Sequence, residues 1–156
     1  MLTATDKVLN ILEKREFVSI ATVSPDGQPN SVPKFFLRAK GSFLYLIDHV
    51  VGKTVENLRA NPMCSVSFMD LDNLEAYRFN GKARLISKGK NFDEILKVWN
   101  ARLIKLSTDR VIEAVTTGKK SGHYEMEISE KFVVLKIELE SVIKIGRKGD
   151  VWQETG

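Results

Sequence analysis

The alternation of apolar and polar residues predicts a short helix followed by three strands in the first third of the chain. Apolar side chains at positions 8, 9, 11 and 12 have the spacing of an amphipathic helix, which is expected over residues 5–15. Residues 17–23 (FVSIATV) are rich in β-branched side chains, which is typical of a buried strand. Further strands are expected over 30–38 and 42–47, and short turns join the three. Strands joined in this way form an antiparallel meander.

The rest of the chain alternates between predicted helices and strands. The pattern predicts a loop at 48–53, a helix at 54–60, strands at 64–69 and 77–87, helices at 91–106 and 109–116, and strands at 132–139 and 142–145. Gly81 lies inside a predicted strand and indicates a β-bulge or a close backbone approach. This order favours one domain over residues 1–156, mainly β with α, in which helices flank a barrel of six to seven antiparallel strands.

Composition excludes several classes of protein. The single cysteine, Cys64, excludes an internal disulfide framework and a cysteine-rich zinc site, and two histidines leave little material for a histidine metal cluster. No apolar run approaches the ~20 residues needed to cross a bilayer, so no membrane association is expected. The N-terminal segment carries Asp6, Glu13 and Glu16 and lacks the apolar core of a signal peptide. We therefore expect a cytoplasmic protein.

Basic residues are concentrated in the second half of the chain. The net charge is +4, and residues 82–120 hold 10 basic against 4 acidic side chains. This bias leaves open a non-enzymatic barrel that binds nucleic acid or a protein through 82–120, and the plainer alternative is a solvated helix face. Apolar helix positions such as Ile95 and Trp99 interrupt the basic residues, and no aromatic ladder accompanies them, which disfavours nucleic acid.

The segment Asp48–Asn57 (DHVVGKTVEN) carries the strongest chemical signal. Lys53 and Thr54 stand where a loop after a strand enters a helix, and the first N–H groups and the dipole of a helix favour an anion. The segment therefore predicts a phosphate site, unless Thr54 only caps the helix and Lys53 is solvated. Gly52-Lys53-Thr54 also resembles the end of a P-loop, but Ile47 occupies the place of that motif's first glycine.

The order and spacing of three segments resemble the FMN-binding split-barrel proteins related to pyridoxamine 5′-phosphate oxidase. The segments are the strand Phe17–Val23, the turn Asp26–Pro29 with the strand after it, and the stretch Lys53–Pro62 that leads to Cys64. The family holds the FMN phosphate with two polar residues at the positions of Lys53 and Thr54, often Arg-Lys. Lys-Thr is closer to the small FMN-binding electron-transfer proteins than to the oxidase.

The resemblance implies a flavoprotein whose cofactor, FMN, lies at the interface of a homodimer. The residues implied to bind it are Ser31, Val32, Pro33, Lys34, Asp48, His49, Val50, Lys53 and Thr54. The first four would line the flavin, the next three would follow its ring and ribityl chain, and the last two would take the phosphate. The oxidase has an arginine at the position of Val32, and its absence leaves less positive charge unless Lys34 or the partner chain compensates.

The implied activity is that of an oxidoreductase or an electron carrier, with NADH, NADPH or another small molecule as its redox partner. The cofactor performs the chemistry in such proteins, which agrees with a chain that shows no acid–base or nucleophile pattern and no metal site. The catalytic residues stay unassigned. A split barrel that uses a deazaflavin or haem is the alternative, because the fold is shared and the residues near the ring do not separate these cofactors.

Overall fold

The computed structural model describes residues 6–120 and 124–156, which form seven strands, three α-helices and a 3₁₀ turn. The strands are β1 (Phe17–Val23), β2 (Pro29–Lys40), β3 (Phe43–Asp48), β4 (Met63–Asp70), β5 (Glu75–Ile86), β6 (Val133–Ile145) and β7 (Val151–Thr155). The helices are α1 (Asp6–Glu13), α2 (Lys53–Ala60) and α3 (Lys90–Thr117), and the 3₁₀ turn is Tyr124–Glu127. The predicted first helix begins at residue 5, which lies outside the described residues.

The strands form an antiparallel sheet that closes on itself. Their order is β3-β2-β1-β4-β5-β6-β7, and β3 also pairs with β6, so that six strands make a closed barrel and β7 extends beyond it. All the pairings are antiparallel. The expected barrel of six to seven antiparallel strands with helices outside is therefore confirmed.

Apolar side chains pack on both faces of the barrel wall. The interior holds a cluster that includes Ile20, Phe36, Leu46 and Phe79. A second cluster lies between β2, β3 and β6 and helix α3, where Trp99 is 5.1 Å from the ring of Phe35. The second cluster attaches α3 to the barrel through the first turns of the helix.

Gly81 lies where two backbones approach each other. The register between β5 and β6 shifts at Asn80/Gly81, and a Cβ added at Gly81 would be 2.1 Å from the carbonyl oxygen of Glu138. This confirms the predicted bulge and close approach, because the strand can pass β6 there only without a side chain. Cys64 in β4 pairs with Gly81 in β5. Cys64 is buried, and burial raises the pKa of its thiol to about 12.

A group of charged residues attaches helix α1 and strand β6 to the start of β5. Glu75 accepts hydrogen bonds from Lys144 at 2.7 Å, from the Tyr77 hydroxyl at 2.9 Å and from Lys7 at 3.0 Å. These donors, Lys144 first, lower the pKa of the Glu75 carboxyl to about 2. The bond from Lys7 joins α1 to β5, and Val8 and Leu12 of the same helix pack into the barrel core.

The structure differs from the predicted elements in two divisions and one additional strand. The strands expected at 132–139 and 142–145 are one strand, β6, and the helices expected at 91–106 and 109–116 are one helix, α3. Strand β7 was not expected, because its five residues are all exposed and show no alternation. Although α3 has 28 residues, no helix in the described parts of the chain is long and apolar enough to span a membrane.

Candidate functional site

The candidate site begins at the end of β3, where a buried carboxylate organises the loop that follows. Asp48 Oδ1 accepts hydrogen bonds from the Lys34 ammonium at 2.8 Å, from the backbone N–H of Val50 at 3.0 Å and from that of Val51 at 3.1 Å. Lys34 and Asp48 are 6% and 0% exposed. One oxygen atom thus joins β2, β3 and the loop, because an aspartate can fold back onto the N–H groups two and three residues later.

The loop enters α2 through an unusual backbone conformation. Val51 has φ +51°, in the left-handed region that β-branched residues rarely adopt. Gly52 follows as the N-cap of α2, and no side chain of the described residues caps this helix end. The first N–H groups of a helix have no partner within it, and the helix dipole adds partial positive charge at this end.

Lys53 opens α2 and places a full positive charge beside these N–H groups. Its side chain is exposed, and its ammonium lies 3.7 Å from Glu56 Oε2. Asp26, on the turn between β1 and β2, is also close: a hydrogen bond from Ser24 lowers the pKa of Asp26, and the charge of Lys53 adds to this effect. An anion at the start of α2 would therefore compete with two carboxylates for Lys53.

A polar cluster fixes the first turn of α2 against β1 and β2. The Asn30 side-chain amide donates to Thr54 Oγ1 at 3.3 Å and to Thr22 Oγ1 at 3.4 Å, and the Asn57 amide donates to Thr22 Oγ1 at 3.1 Å. Thr22, Thr54 and Asn57 are buried. The hydroxyl of Thr54 therefore belongs to the contact between helix and sheet.

An open groove of about 540 Å³ lies beside the same loop. His49, Val50 and Val51 form one wall, and Phe92 and Phe132, whose ring centroids are 5.0 Å apart, contribute to the rest. Val50 is 68% exposed. The buried Nδ1 of His49 has no hydrogen-bond partner among the described residues. Ser87, Ser129, Glu130 and Lys131 complete the lining, so the groove combines aromatic and apolar groups with polar and charged ones.

The nine predicted cofactor residues fall into three groups. Ser31, Pro33, Val50 and Lys53 are exposed, Val32 and His49 are partly buried, and Lys34, Asp48 and Thr54 are buried. The structure brings together the Asp48–Thr54 loop and Lys34, while Val32 packs against the barrel core and Ser31 bonds to Ser19 at 3.0 Å. The ammonium of Lys34 is paired with Asp48, so its charge is balanced within the protein. The cofactor roles of the nine residues stay predictions.

The nine predicted residues do not include Thr22, Asn30 and Asn57, which form the polar cluster beside the site. Two features of the sequence point to such contacts. Thr22 is a polar residue in a strand that is predicted to be buried, and Asn57 follows Thr54 by three residues, which places both on the same face of a helix. The partners themselves become visible only when the register of β1 with β2 pairs Thr22 with Asn30.

Comparison with known proteins gives one family match and several similar folds. Residues 4–146 match the family model described as pyridoxamine 5′-phosphate oxidase. No curated protein matches the chain. Among solved structures, Group A Streptococcus HupZ is 21% identical, with 92% of this chain and 95% of HupZ covered and a TM-score of 0.65. A pyridoxamine 5′-phosphate oxidase-related, FMN-binding protein from Nostoc punctiforme is 16% identical, with coverages of 95% and 92% and a TM-score of 0.58.

An F420 reductase has the same fold at 16% identity, with 89% of this chain and 98% of that chain covered and a TM-score of 0.57. At such identities the solved structures demonstrate the shared fold. The family match is more informative, because it extends over all six barrel strands and the candidate site. The chain therefore belongs to the pyridoxamine 5′-phosphate oxidase family.

Proposed function

We propose that the protein binds FMN and that two copies of the chain form the complete site, in which the flavin serves redox chemistry. The observation that carries the proposal is the loop after β3. Its residues 49–51 line a groove that contains two phenylalanine rings, and it leads into the uncapped end of α2 with the exposed Lys53. This pairing suits a ligand with an anionic tail and a flat ring. FMN has both parts, and the family includes FMN-binding members.

The phosphate end of FMN fits the start of α2. A phosphate dianion needs positive charge and several N–H donors, and Lys53 and the first turn of α2 supply both. The Thr54 backbone can take part in this contact, while its hydroxyl oxygen accepts from Asn30. Glu56 and Asp26 limit the affinity, because each attracts the ammonium of Lys53 in the absence of ligand.

The ring of FMN fits the apolar and aromatic surroundings of the loop. Val50 is exposed and, with the partly buried His49 and the rings of Phe92 and Phe132, lines the groove. A bound flavin would supply hydride or single-electron transfer, so the chain needs to bind, orient and shield it more than to provide catalytic side chains. This agrees with the lack of an evident acid–base pair in the sequence.

The outer face of the barrel supports association with a second copy. Phe17, Met69, Ile145 and Val151 are large apolar residues on β1, β4, β6 and β7, and all are more than 40% exposed. Three of these residues form one row across the sheet. Met69 pairs with Ala76 of β5, Ala76 pairs with Ile145, and Ile145 pairs with Val151. A row of this kind is typical of a surface that a partner covers.

The proposal is tested by the spectrum and size of the purified protein. Loading with FMN should give a flavin spectrum that survives gel filtration, light scattering should give twice the chain mass, and NADH or NADPH should bleach the flavin if it is the donor. Met69→Lys should shift the dimer toward monomer and weaken FMN binding, whereas Lys148→Glu, on the exposed turn before β7, should change neither. A monomer with no affinity for FMN would contradict the proposal.

A deazaflavin is the second candidate, because an F420 reductase shares the fold at a TM-score of 0.57. Parallel titrations with FMN and F420 separate the two, and a Soret band would instead identify haem.

The basic stretch 82–120 gives less support to a nucleic-acid-binding barrel, since Lys82 pairs with Glu140 at 2.8 Å and Arg110 pairs with Glu125 at 2.7 Å. Such pairing reduces the charge available to a polyanion.

A further inference from the structure

We propose that Lys34 and Asp48 are positioning residues, which hold the loop 49–53 so that the first turn of α2 can take a phosphate, and which do not themselves contact the flavin. This inference rests on the proposed function and changes the role that the family resemblance implies for both residues. Its basis is the arrangement in which one carboxylate oxygen receives an ammonium and two successive loop N–H groups.

Burial separates these two residues from any ligand. Lys34 is 6% exposed and Asp48 is 0% exposed. Phe35 on β2 pairs with Ile47 on β3, so the two residues next to this pair, Lys34 and Asp48, also lie side by side. Asp48 itself pairs with Val133 on β6. The carboxylate is thus fixed by three strands of the barrel, while the loop depends on the hydrogen bonds that this carboxylate accepts.

The loop needs such an anchor because its backbone is strained. Val51 has φ +51°, and a β-branched residue in this region keeps that conformation only when its surroundings hold it. The hydrogen bond from the N–H of Val51 to Asp48 Oδ1 at 3.1 Å provides this restraint. Gly52 and Lys53 follow directly, so the direction of the first turn of α2 depends on the conformation of Val51.

The two oxygens of Asp48 are used unequally, which agrees with a positioning role. Oδ1 takes all three hydrogen bonds given above, while the buried Oδ2 has no partner among the described residues. A buried ion pair seldom increases stability over a well-packed apolar pair of similar volume. The arrangement is therefore better explained by the geometry that it imposes on Val50 and Val51 than by a contribution to the stability of the barrel.

Two double variants separate the restraint from the charge. Lys34→Met with Asp48→Asn removes both charges but keeps an amide oxygen that the N–H groups of Val50 and Val51 can use. Lys34→Met with Asp48→Leu removes the charges and the acceptor together. Methionine and asparagine match the volumes of lysine and aspartate, and leucine keeps the branching of aspartate, so both variants should fold, and thermal melting verifies this.

The readout is the affinity for FMN compared with that for riboflavin, which lacks the phosphate. The Asp48→Leu double variant should bind FMN about tenfold more weakly, as expected for a strained residue that is no longer held, and riboflavin unchanged. The Asp48→Asn double variant should bind both like the wild type. Adding Val51→Gly to the Asp48→Leu variant should recover part of the FMN affinity, because glycine adopts a positive φ readily. Equal losses for FMN and riboflavin would overturn the proposal.

Amide hydrogen exchange in the ligand-free protein tests the restraint without any flavin. Exchange at Val51, Gly52 and Lys53 should become faster in the Asp48→Leu double variant and stay as in the wild type in the Asp48→Asn double variant, while β3 keeps its protection in both. Unchanged exchange at the loop would refute the positioning role. If the wild type binds no flavin at all, the proposed function fails, and the exchange experiment still decides whether Asp48 holds the loop.

Discussion

Replacement of Lys53 by alanine is the sharpest test of the phosphate site, because the side chain is exposed and its loss should leave the fold intact. Its ammonium has one ion-pair partner within the described residues, Glu56 at 3.7 Å, and both side chains are more than half exposed. An exposed pair of this kind contributes little to stability. We therefore expect Lys53→Ala to melt close to the wild type while its affinity for FMN falls.

The magnitude follows from the exposure of Lys53 and from its competitor. A hydrogen bond to a charged group contributes about 1.5–3 kcal/mol, and solvent screening and the competition from Glu56 favour the lower end. A loss of about 1.5 kcal/mol corresponds to roughly tenfold weaker FMN binding. Glu56→Gln should act in the opposite direction and tighten binding about twofold, since it frees Lys53 without adding a contact.

The assay is a fluorescence titration of each variant with FMN and with riboflavin at two salt concentrations. Lys53→Ala should affect FMN alone, and its effect should shrink at high salt. Lys105→Ala is the matched control, because Lys105 is an exposed helical lysine paired with Asp109 and lies on α3. Unchanged FMN affinity in Lys53→Ala, or an equal loss for riboflavin, would remove Lys53 from the phosphate site.

Three further predictions concern the fold. Gly81→Ala should lower the free energy of unfolding in denaturant titrations by about 3 kcal/mol. Gly52→Ala, whose Cβ would lie 3.5 Å from Val50, should lower it much less, and equal losses would contradict the close approach at Gly81. The pKa of Glu75 is lowered to about 2, so its contribution to stability is complete above the pKa that this carboxyl has in the unfolded chain and is lost as the pH falls toward 2. Glu75→Gln should therefore flatten the fall of the free energy of unfolding at acid pH, and an unchanged fall would contradict this role. Burial raises the pKa of Cys64 to about 12, so a thiol reagent should label it far faster in the unfolded chain than in the native protein.

The sequence predicts the barrel well because its strands alternate or are apolar throughout, and their connections are short. The prediction fails where local composition misleads. Glu140 and Ser141 interrupt the apolar pattern and divide β6 into two predicted strands, whereas the pairing with β5 continues through a bulge. Polar residues divide α3 in the same way, but Thr108 bonds back to the carbonyl of Ile104 and the helix continues. Tertiary pairing decides both cases.

The candidate site is only partly predictable, for a different physical reason. The helix end with Lys53 can be predicted from neighbouring residues, because a strand, a loop and a helix follow one another along the chain. The contact of Lys34 with Asp48 needs the register of β2 with β3, and the contact of Asn57 with Thr22 joins residues far apart in sequence. Sequence patterns can thus identify which residues could meet a phosphate, while the contacts that orient them depend on the closed barrel.

The buried pair behind the loop implies that binding and stability pull in opposite directions at this site. Lys34 and Asp48 occupy neighbouring positions where apolar residues would extend the packing of β2 and β3, and one Asp48 oxygen has no partner in the described chain. Since apolar pairs often equal or exceed buried ion pairs in stability, the Lys34→Met, Asp48→Leu variant should unfold at the same or a higher temperature than the wild type. If it binds FMN more weakly while it melts no earlier, the ion pair is retained for the loop that it orders. A variant that melts much earlier would instead show that the pair supports the barrel itself.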